Sequence, residues 1–442
     1  MTINHINQLP NEVFLGIFKL LNKRDLISVQ SVCIFWANLT QSNDIWKQLY
    51  QRESFHAKFL KIYNNDKQSF QSCYKTYSIA QQNFKRFSYQ STILIGHSEN
   101  ITSIQFNGTL NQIISSSFDK TIRIWDYNNL SNVKTIDFNS TIMDMQLDYT
   151  NTNLICGSDR GHIYFLNLHD HKVQTILQAH YGFITSIQGN ESSRIFCSAS
   201  GKDKMIKMWD LQEDQLDRKL VRCLENDRAG VSNLVWSNRN SNVLYSSSGS
   251  EISQWDVEYG IQIRKLQTQS IINPDCLQVC NGMIASGGES KIMTLFDERM
   301  QFESKQIPHD SPVYAIQYDP SERRLVSGHG QDNNNVNVWD TDQCIVSKYH
   351  NIHSSSVNIL HLDRKRVISA SLDSNIVVWD CDEPQEMAYK LKGHTSMIRT
   401  CYFDDSKIIS GSLDNSVILW DFANSTQQNE NYNNNNNRCM IM

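Results

Sequence analysis

Apolar residues recur along this chain in two rhythms, and the change comes near residue 90. Ahead of it the spacing is helical. After Pro10, which suits the first turn of a helix, Val13, Phe14, Ile17, Phe18, Leu20 and Leu21 fall at helical intervals. Asn22, with Asp25 three residues on, reads as the cap of a second helix carrying Leu26, Val29, Cys33 and Trp36. Asp44 opens a third with Ile45, Trp46, Leu49 and Tyr50. Three short helices in about 45 residues cannot bury so many large side chains internally, so some apolar surface is expected to face a partner.

Beyond residue 90 the runs alternate or stay apolar, are rich in β-branched residues and end repeatedly in one phrase. IRIWD (122–126), IYFLN (163–167), IKMWD (206–210), ISQWD (252–256), MTLFD (293–297), VNVWD (336–340), IVVWD (376–380) and VILWD (417–421) mark eight units. The aromatic or its substitute stands at 125, 166, 209, 255, 296, 339, 379 and 420, at intervals of 41, 43, 46, 41, 43, 40 and 41 residues. So regular a period is a repeat architecture. Within the last unit MIRTCYF (397–403), KIISGS (407–412) and SVILWD (416–421) read as strands separated by turn-forming DDS and LDN.

An X-His pair opens many units, at Gly96-His97, Ala179-His180, Pro308-His309, Ile352-His353 and Gly393-His394. An Asp follows a cluster of small residues at Asp119, Asp203, Asp373 and Asp414. Together with the period, these signatures resemble the WD-repeat β-propeller family over residues 90–422. The resemblance implies an all-β propeller of four-stranded blades, each locked by a hydrogen-bonded chain of His, Asp, a small hydroxyl residue and Trp. In the last unit that set is His394, Asp414, Ser410 and Trp420. A buried His or Asp must be paired to offset its desolvation, and a constellation repeated in several blades is structural where one active site would not repeat. Three units depart from the pattern. The second ends Leu166-Asn167 without an opening His, the fourth has Asp227 or Arg228 where His belongs, and the fifth ends Phe296-Asp297. After Asp421 the chain offers no strand, whereas Tyr89–Ile95 has strand composition and is expected to complete the last blade. An eight-bladed ring follows, with seven blades and one unit outside the ring as the alternative.

The helical region is more specific than a generic bundle. Leu9-Pro10-x-Glu12-Val13, Asp25-Leu26, Val32-Cys33-x-x-Trp36 and Trp46-x-x-Leu49-Tyr50 closely resemble the F-box. That resemblance implies docking of residues 6–52 on a Skp-type adaptor, through it linked to a cullin–RING ubiquitin ligase, with Leu9, Pro10, Val13, Ile17, Leu26 and Trp36 as adaptor-binding residues. Residues 1–5 form a short tail and 53–88 a helical linker, 89–422 are the propeller, and 423–442 are an Asn-rich disordered tail.

Charge refines this division. Residues 1–88 carry 11 Lys/Arg against 5 Asp/Glu, while the remainder carries 30 against 41. An acidic body argues against nucleic acid as a partner. Eleven cysteines lie scattered without a metal-ligand or disulfide pattern, and no nucleotide or metalloprotease motif is present, so no catalytic residue, cofactor or metal is expected. The absence of a secretory leader or an 18-residue apolar run points to a cytoplasmic or nuclear protein. In receptors of this kind one propeller face presents cations to acidic or phosphorylated peptides. By that resemblance the position five after each opening His points there, here Thr102, Thr185, Tyr314, Asn358 and Arg399, and the residues just before the blade Asp are Phe118, Lys202, Leu372 and Leu413. Arg399 and Lys202 suit an anion, whereas Phe118, Tyr314, Leu372 and Leu413 suggest a more apolar groove. The reading is therefore a non-catalytic substrate receptor of a Skp–cullin–F-box ligase, with a scaffold that binds the adaptor without directing degradation as the alternative. Finally, Cys439-Met440-Ile441-Met442 fits a prenylation box. One such lipid beside the single basic Arg438 implies weak, partial membrane association.

Overall fold

The computed structural model is an eight-bladed β-propeller preceded by a short helical region. It describes residues 10–53, residues 69–424 apart from 177, 191–193, 212–219, 226–228, 269–275, 299–303, 320–322, 331–333, 341–345, 350–352, 364 and 382–387, and residues 438–439. The chain divides into two compact units. One holds Met1–Ser91 with Phe403–Ile408 and Trp420–Glu430, and the other the remainder.

The helices of the first unit are α1 (Asn11–Phe18), α2 (Lys23–Gln30), α3 (Ile34–Leu39), α4 (Asn43–Glu53) and α5 (Phe70–Arg86). Pro10 stands before the first turn as the cap, with an extended ψ of 147°. The expected cap of α2 is present, Asn22 accepting from Asp25 N at 2.9 Å. The stripe expected to run unbroken from Leu26 to Trp36 is divided between two helices, so four short helices form here in place of three. Ser28 and Ser31 turn their hydroxyls onto the carbonyls of Arg24 and Ser28, a local competitor of the helix ladder. Cys33 is extended, and its Sγ accepts from Trp36 N at 3.5 Å to start α3.

Most of the aromatics are buried after all, because α5 completes the core. Phe70, Tyr74 and Tyr77 close over Phe14, Phe18, Trp46 and Tyr50. The two tyrosine hydroxyls donate to Glu53, at 2.7 Å to Oε2 and 2.9 Å to the main chain, so each buried O–H is satisfied. In the same unit the other end of α5 stacks Phe84 on Phe422, ring centres 3.6 Å apart, and Asn83 Nδ2 donates to Phe422 O at 2.7 Å.

The propeller consists of eight antiparallel sheets, each begun by a strand lying next to the axis. These first strands are Ile101–Asn107, Ile142–Leu147, Ile184–Gly189, Val231–Trp236, Cys276–Cys280, Val313–Asp319, Val357–Leu362 and Ile398–Phe403. Apolar faces of neighbouring sheets interlock. Between the second and third blades, for example, Ile155, Ile163, Ile184, Ile187 and Trp209 form one cluster. Each fully buried side chain of this size contributes about 1.5–3 kcal/mol, so stacking of blades supplies most of the driving force. Gln90–Leu94 pairs with Val417–Asp421 and supplies the fourth strand of the last blade, as its composition suggested. The ring of eight is thereby closed and the seven-bladed alternative falls. The tail differs from a wholly solvated tether, because Arg438–Cys439 adds a fifth strand to the seventh blade, opposite Tyr389 and Ala388. An outer strand presents unpaired ladder groups, and the tail uses them. No helix among the described residues is long and apolar enough to cross a membrane.

Candidate adaptor surface and substrate face

The polar chain recurs in four blades with one geometry. In the first, His97 Nδ1 lies 2.8 Å from Asp119 Oδ2 and Nε2 lies 2.8 Å from Ser115 Oγ, which also accepts from Trp125 Nε1 at 3.0 Å. His180, Asp203, Ser198 and Trp209 repeat this in the third blade at 2.7, 2.7 and 2.8 Å. His353, Asp373, Ser369 and Trp379 do so in the seventh at 3.0, 2.8 and 3.3 Å. In the eighth, His394 meets Asp414 at 2.9 Å and Ser410 at 2.8 Å. A Ser–His–Asp series is also the arrangement of a hydrolase triad. Here the imidazoles and serines are buried, and in three blades the serine oxygen is engaged by an indole N–H. These groups tie the strands of each blade together.

The electrostatics agree. Burial alone would push the Asp373 and Asp414 carboxyls up, but hydrogen bonds from His353 and His394 and from nearby N–H and O–H groups outweigh it and hold both well below the usual carboxylate range. Asp119 and Asp203 are lowered by the same balance. His97 is lowered by burial, against the opposing pull of Asp119.

The remaining blades improvise. In the second, Cys156 and Leu166 stand where Ser and Trp would, and the buried Ser140 Oγ and Tyr164 OH bond to each other at 2.7 Å. The fourth keeps Trp255 Nε1 on Ser246 Oγ at 2.8 Å, while Asp227 and Arg228 lie outside the described residues. The fifth buries Phe296 among Val243, Tyr245, Ile252 and Ile284. The sixth corrects the sequence reading of His309. Ser327 Oγ meets His329 Nε2 at 2.9 Å, a histidine from its own strand, and the His309 ring packs against His329 and Trp339.

Residues five after each opening His were expected to point at a substrate. Thr102, Thr185 and Tyr314 do sit at β-bulges, which re-aim a side chain. Thr102 Oγ1 and Thr185 Oγ1 are nevertheless spent on Ile142 O and Val231 O of the next blade, each at 2.7 Å. Of the proposed substrate residues the structure brings two together. Arg399 is exposed and stacks its guanidinium over Phe118, 5.7 Å from the ring centre, across the seam of the eighth and first blades. Lys202 is exposed in the third blade and Tyr314 half-buried in the sixth, and neither is joined to that pair.

One set of residues escaped the sequence reading. Gln105, Gln146, Gln188, Gln278, Gln317 and His361 occupy one position of the first strand in six blades, each opposite the residue preceding the lock position of the second strand. Four seams between blades are stitched there. Gln105 Nε2 donates to Met145 O at 2.8 Å, Gly189 N to Gln146 Oε1 at 2.8 Å, Gln278 Nε2 to Gln317 Oε1 at 3.2 Å and His361 Nε2 to Cys401 O at 3.0 Å. The recurrent apolar-Gln pairs at 104–105, 145–146, 187–188, 277–278 and 316–317 were its signal.

The adaptor residues are sorted by exposure. Val13 (43%) and Ile17 (47%) lie one turn apart on α1 and are open, as is Pro10, and Leu20 (76%) and Ile34 (82%) extend the apolar surface. Leu26 is fully buried, so it cannot touch an adaptor and supports the surface from beneath. Trp36 is half-buried against Phe14 and Phe18, and Leu9 lies outside the described residues. Cys439 sits on the tail strand opposite Ala388.

Comparison with known proteins follows this division. Residues 6–52 match the F-box-like family model. Residues 171–210, 302–340, 344–380 and 385–421 match the WD domain, G-beta repeat, and 97–168 match the TEP-1 C-terminal beta-propeller. An F-box/WD-40 repeat-containing protein of Arabidopsis thaliana is 22% identical over 436 residues, covering 86% of this chain and 76% of that protein. A WD repeat-containing protein 89 homolog of Dictyostelium discoideum is 24% identical over 297 residues, covering 65% of this chain and 73% of its own length. Among solved structures, Sqt1 of Saccharomyces cerevisiae (TM-score 0.66, 13% identity) and the computationally designed Ika8 protein (TM-score 0.64, 22% identity) share the fold, covering 76% and 74% of this chain and 99% and 98% of their own.

Proposed function

From a chain that carries an F-box-like domain at its N-terminus followed by WD40 repeats, we propose a substrate-recognition subunit of a Skp–cullin–F-box ubiquitin ligase. The observation that carries this reading is the apolar surface of α1 and its neighbours, from Val13 to Phe35, left open on an otherwise well-packed bundle. A monomer gains nothing from exposing seven large apolar side chains in so short a stretch, whereas a permanent helical partner would bury them. The propeller then serves as the recognition face, with the Arg399–Phe118 pair as one contact for an acidic or phosphorylated segment, since a guanidinium stacked on a ring keeps its N–H fork free for an anion.

On this reading the chain breaks no bonds. It raises the local concentration of a substrate lysine beside the ubiquitin donor, in the cytoplasm or nucleus. The test combines two measurements: adaptor-dependent recovery of the full chain with a cullin, and the abundance of its propeller partners after proteasome block. Partners that accumulate support the receptor, and partners whose abundance stays constant support a scaffold. The intact mass of the native protein decides whether Cys439 carries a prenyl group.

A further inference from the structure

We propose that the loop opening the third blade is a docking lip for an acidic peptide segment bearing one apolar anchor residue; the proposal rests on the propeller being the recognition face. Tyr181 is 83% exposed and Phe183 45%, an unusual display of aromatic surface on a blade otherwise complete in its packing. The display is rigid. Tyr181 N donates to Asp203 Oδ2 at 3.0 Å, tying the loop to the blade's own lock. Close backbone approaches fix it from both neighbouring blades. A Cβ on Gly161 would fall 2.1 Å from His180 O, and one on Gly230 would fall 1.8 Å from Gly201 O, in the turn against which Phe183 lies. Aromatic surface held in this way binds without a large ordering cost, the usual property of an interface anchor.

Charge selects the occupant. Lys202 lies against Gly182 of the loop, Lys204 follows two residues on, and both are exposed, while Arg160 with Asp159 stands on the turn beside Gly161. The carboxylate between the two lysines, Asp203, keeps its charge but directs its oxygens inward to His180 Nδ1 at 2.7 Å, Tyr181 N and Met205 N at 3.1 Å. With Lys202, Lys204 and Arg160 against Asp159 and Asp203, these residues of the lip carry a small net positive charge on a propeller whose chain is net acidic. A second copy of this acidic body is a poor match, and an acidic peptide a good one.

The probe is a fluorescent nine-residue Glu-rich peptide with a single central Leu or Phe, titrated into the full chain held on its adaptor. Controls replace every Glu by Lys, replace the central residue by Ala, or add one phosphoserine. The acidic, apolar-centred peptides should bind, and Tyr181→Ala and Phe183→Ala should each weaken binding about tenfold or more. The double change Lys202→Glu, Lys204→Glu should abolish the salt dependence. These side chains are exposed, so an unchanged melting transition verifies folding, and adaptor binding, which reports on the proposed function, should not move. Equal binding of acidic and basic peptides, indifference to Tyr181→Ala and Phe183→Ala, a requirement for phosphoserine answered by Arg399→Ala alone, or loss of self-association in those variants would each overturn the proposal.

Discussion

The helical N-terminal region and the propeller treat apolar side chains in opposite ways. Between Val13 and Phe35 seven large ones are exposed, although beneath them Phe14, Phe18 and Leu26 are packed to near-zero exposure. In the propeller the strands turn Ile, Val and Leu inward blade after blade, and the repeated polar residues are also inside, spent on one another. One region is complete only with a partner. The other is closed by repetition, and the apolar side chains it exposes are spread over outer strands, such as Val133, Val173, Leu220 and Ile261, and over loops such as Tyr181–Phe183. A patch that is exposed above a good core signals an interface, whereas an exposed patch above a poor core would signal instability.

The sharpest way to break this contrast is to reopen the ring. Deleting residues 89–95 removes the strand beside Val417–Asp421 and should leave an unpaired sheet edge, giving aggregation in size-exclusion chromatography at concentrations where the intact chain is monodisperse. Within the closed ring the locked and improvised blades should respond unequally. His353→Ala removes the partner shared by the buried Ser369 and Asp373 and leaves a cavity between them, and should cost about 3 kcal/mol in denaturant unfolding. Tyr164→Phe in the second blade removes one neutral hydrogen bond to Ser140 and should cost about 1 kcal/mol.

Acid should weaken the propeller by a route the locks define. The lowered carboxyls of Asp119, Asp203, Asp373 and Asp414 contribute stability that is present above the unfolded value of about 3.9 and is lost as pH falls through their folded values. His97, held neutral by burial, adds a loss of the same sign that begins below its ordinary value of about 6.5. Denaturant midpoints should accordingly fall from pH 7.5 to 5 and more steeply below 4, and His97→Gln should shrink the upper part of that drop. Smallest is the effect of Gln105→Leu at the axis, about 0.5 kcal/mol, because only one stitch of several is cut.

Much of this architecture was legible because repetition multiplies weak signals. The eight phrase endings were readable from spacing and the closing strand before Gly96 from composition, while the locking role of His97, His180, His353 and His394 followed from the resemblance to the WD repeat. The misreadings have local causes. His329 replaces a loop histidine from within its own strand, which the order of residues does not reveal. The break at Ser31–Cys33 turns on serine hydroxyls competing for main-chain carbonyls, invisible to an apolar stripe that keeps helical spacing across it. Leu26 belongs to the right motif but points inward, since periodicity gives a face and not a depth. The axial glutamines were overlooked because each lies beside the strongly apolar residues that draw attention in a strand, and the lip because its aromatics recur in no other blade.

The central claim is that the open surface of α1 is an adaptor interface, and one titration addresses it. The full chain, wild type and Val13→Asp, Ile17→Asp, is titrated calorimetrically with a purified Skp-type adaptor, with the melting transition as the control for folding. Two anchors at about 2 kcal/mol each predict a roughly thousandfold loss of affinity at unchanged melting temperature. Wild-type affinity retained in a folded double variant, or no binding by the wild type itself, would contradict the account.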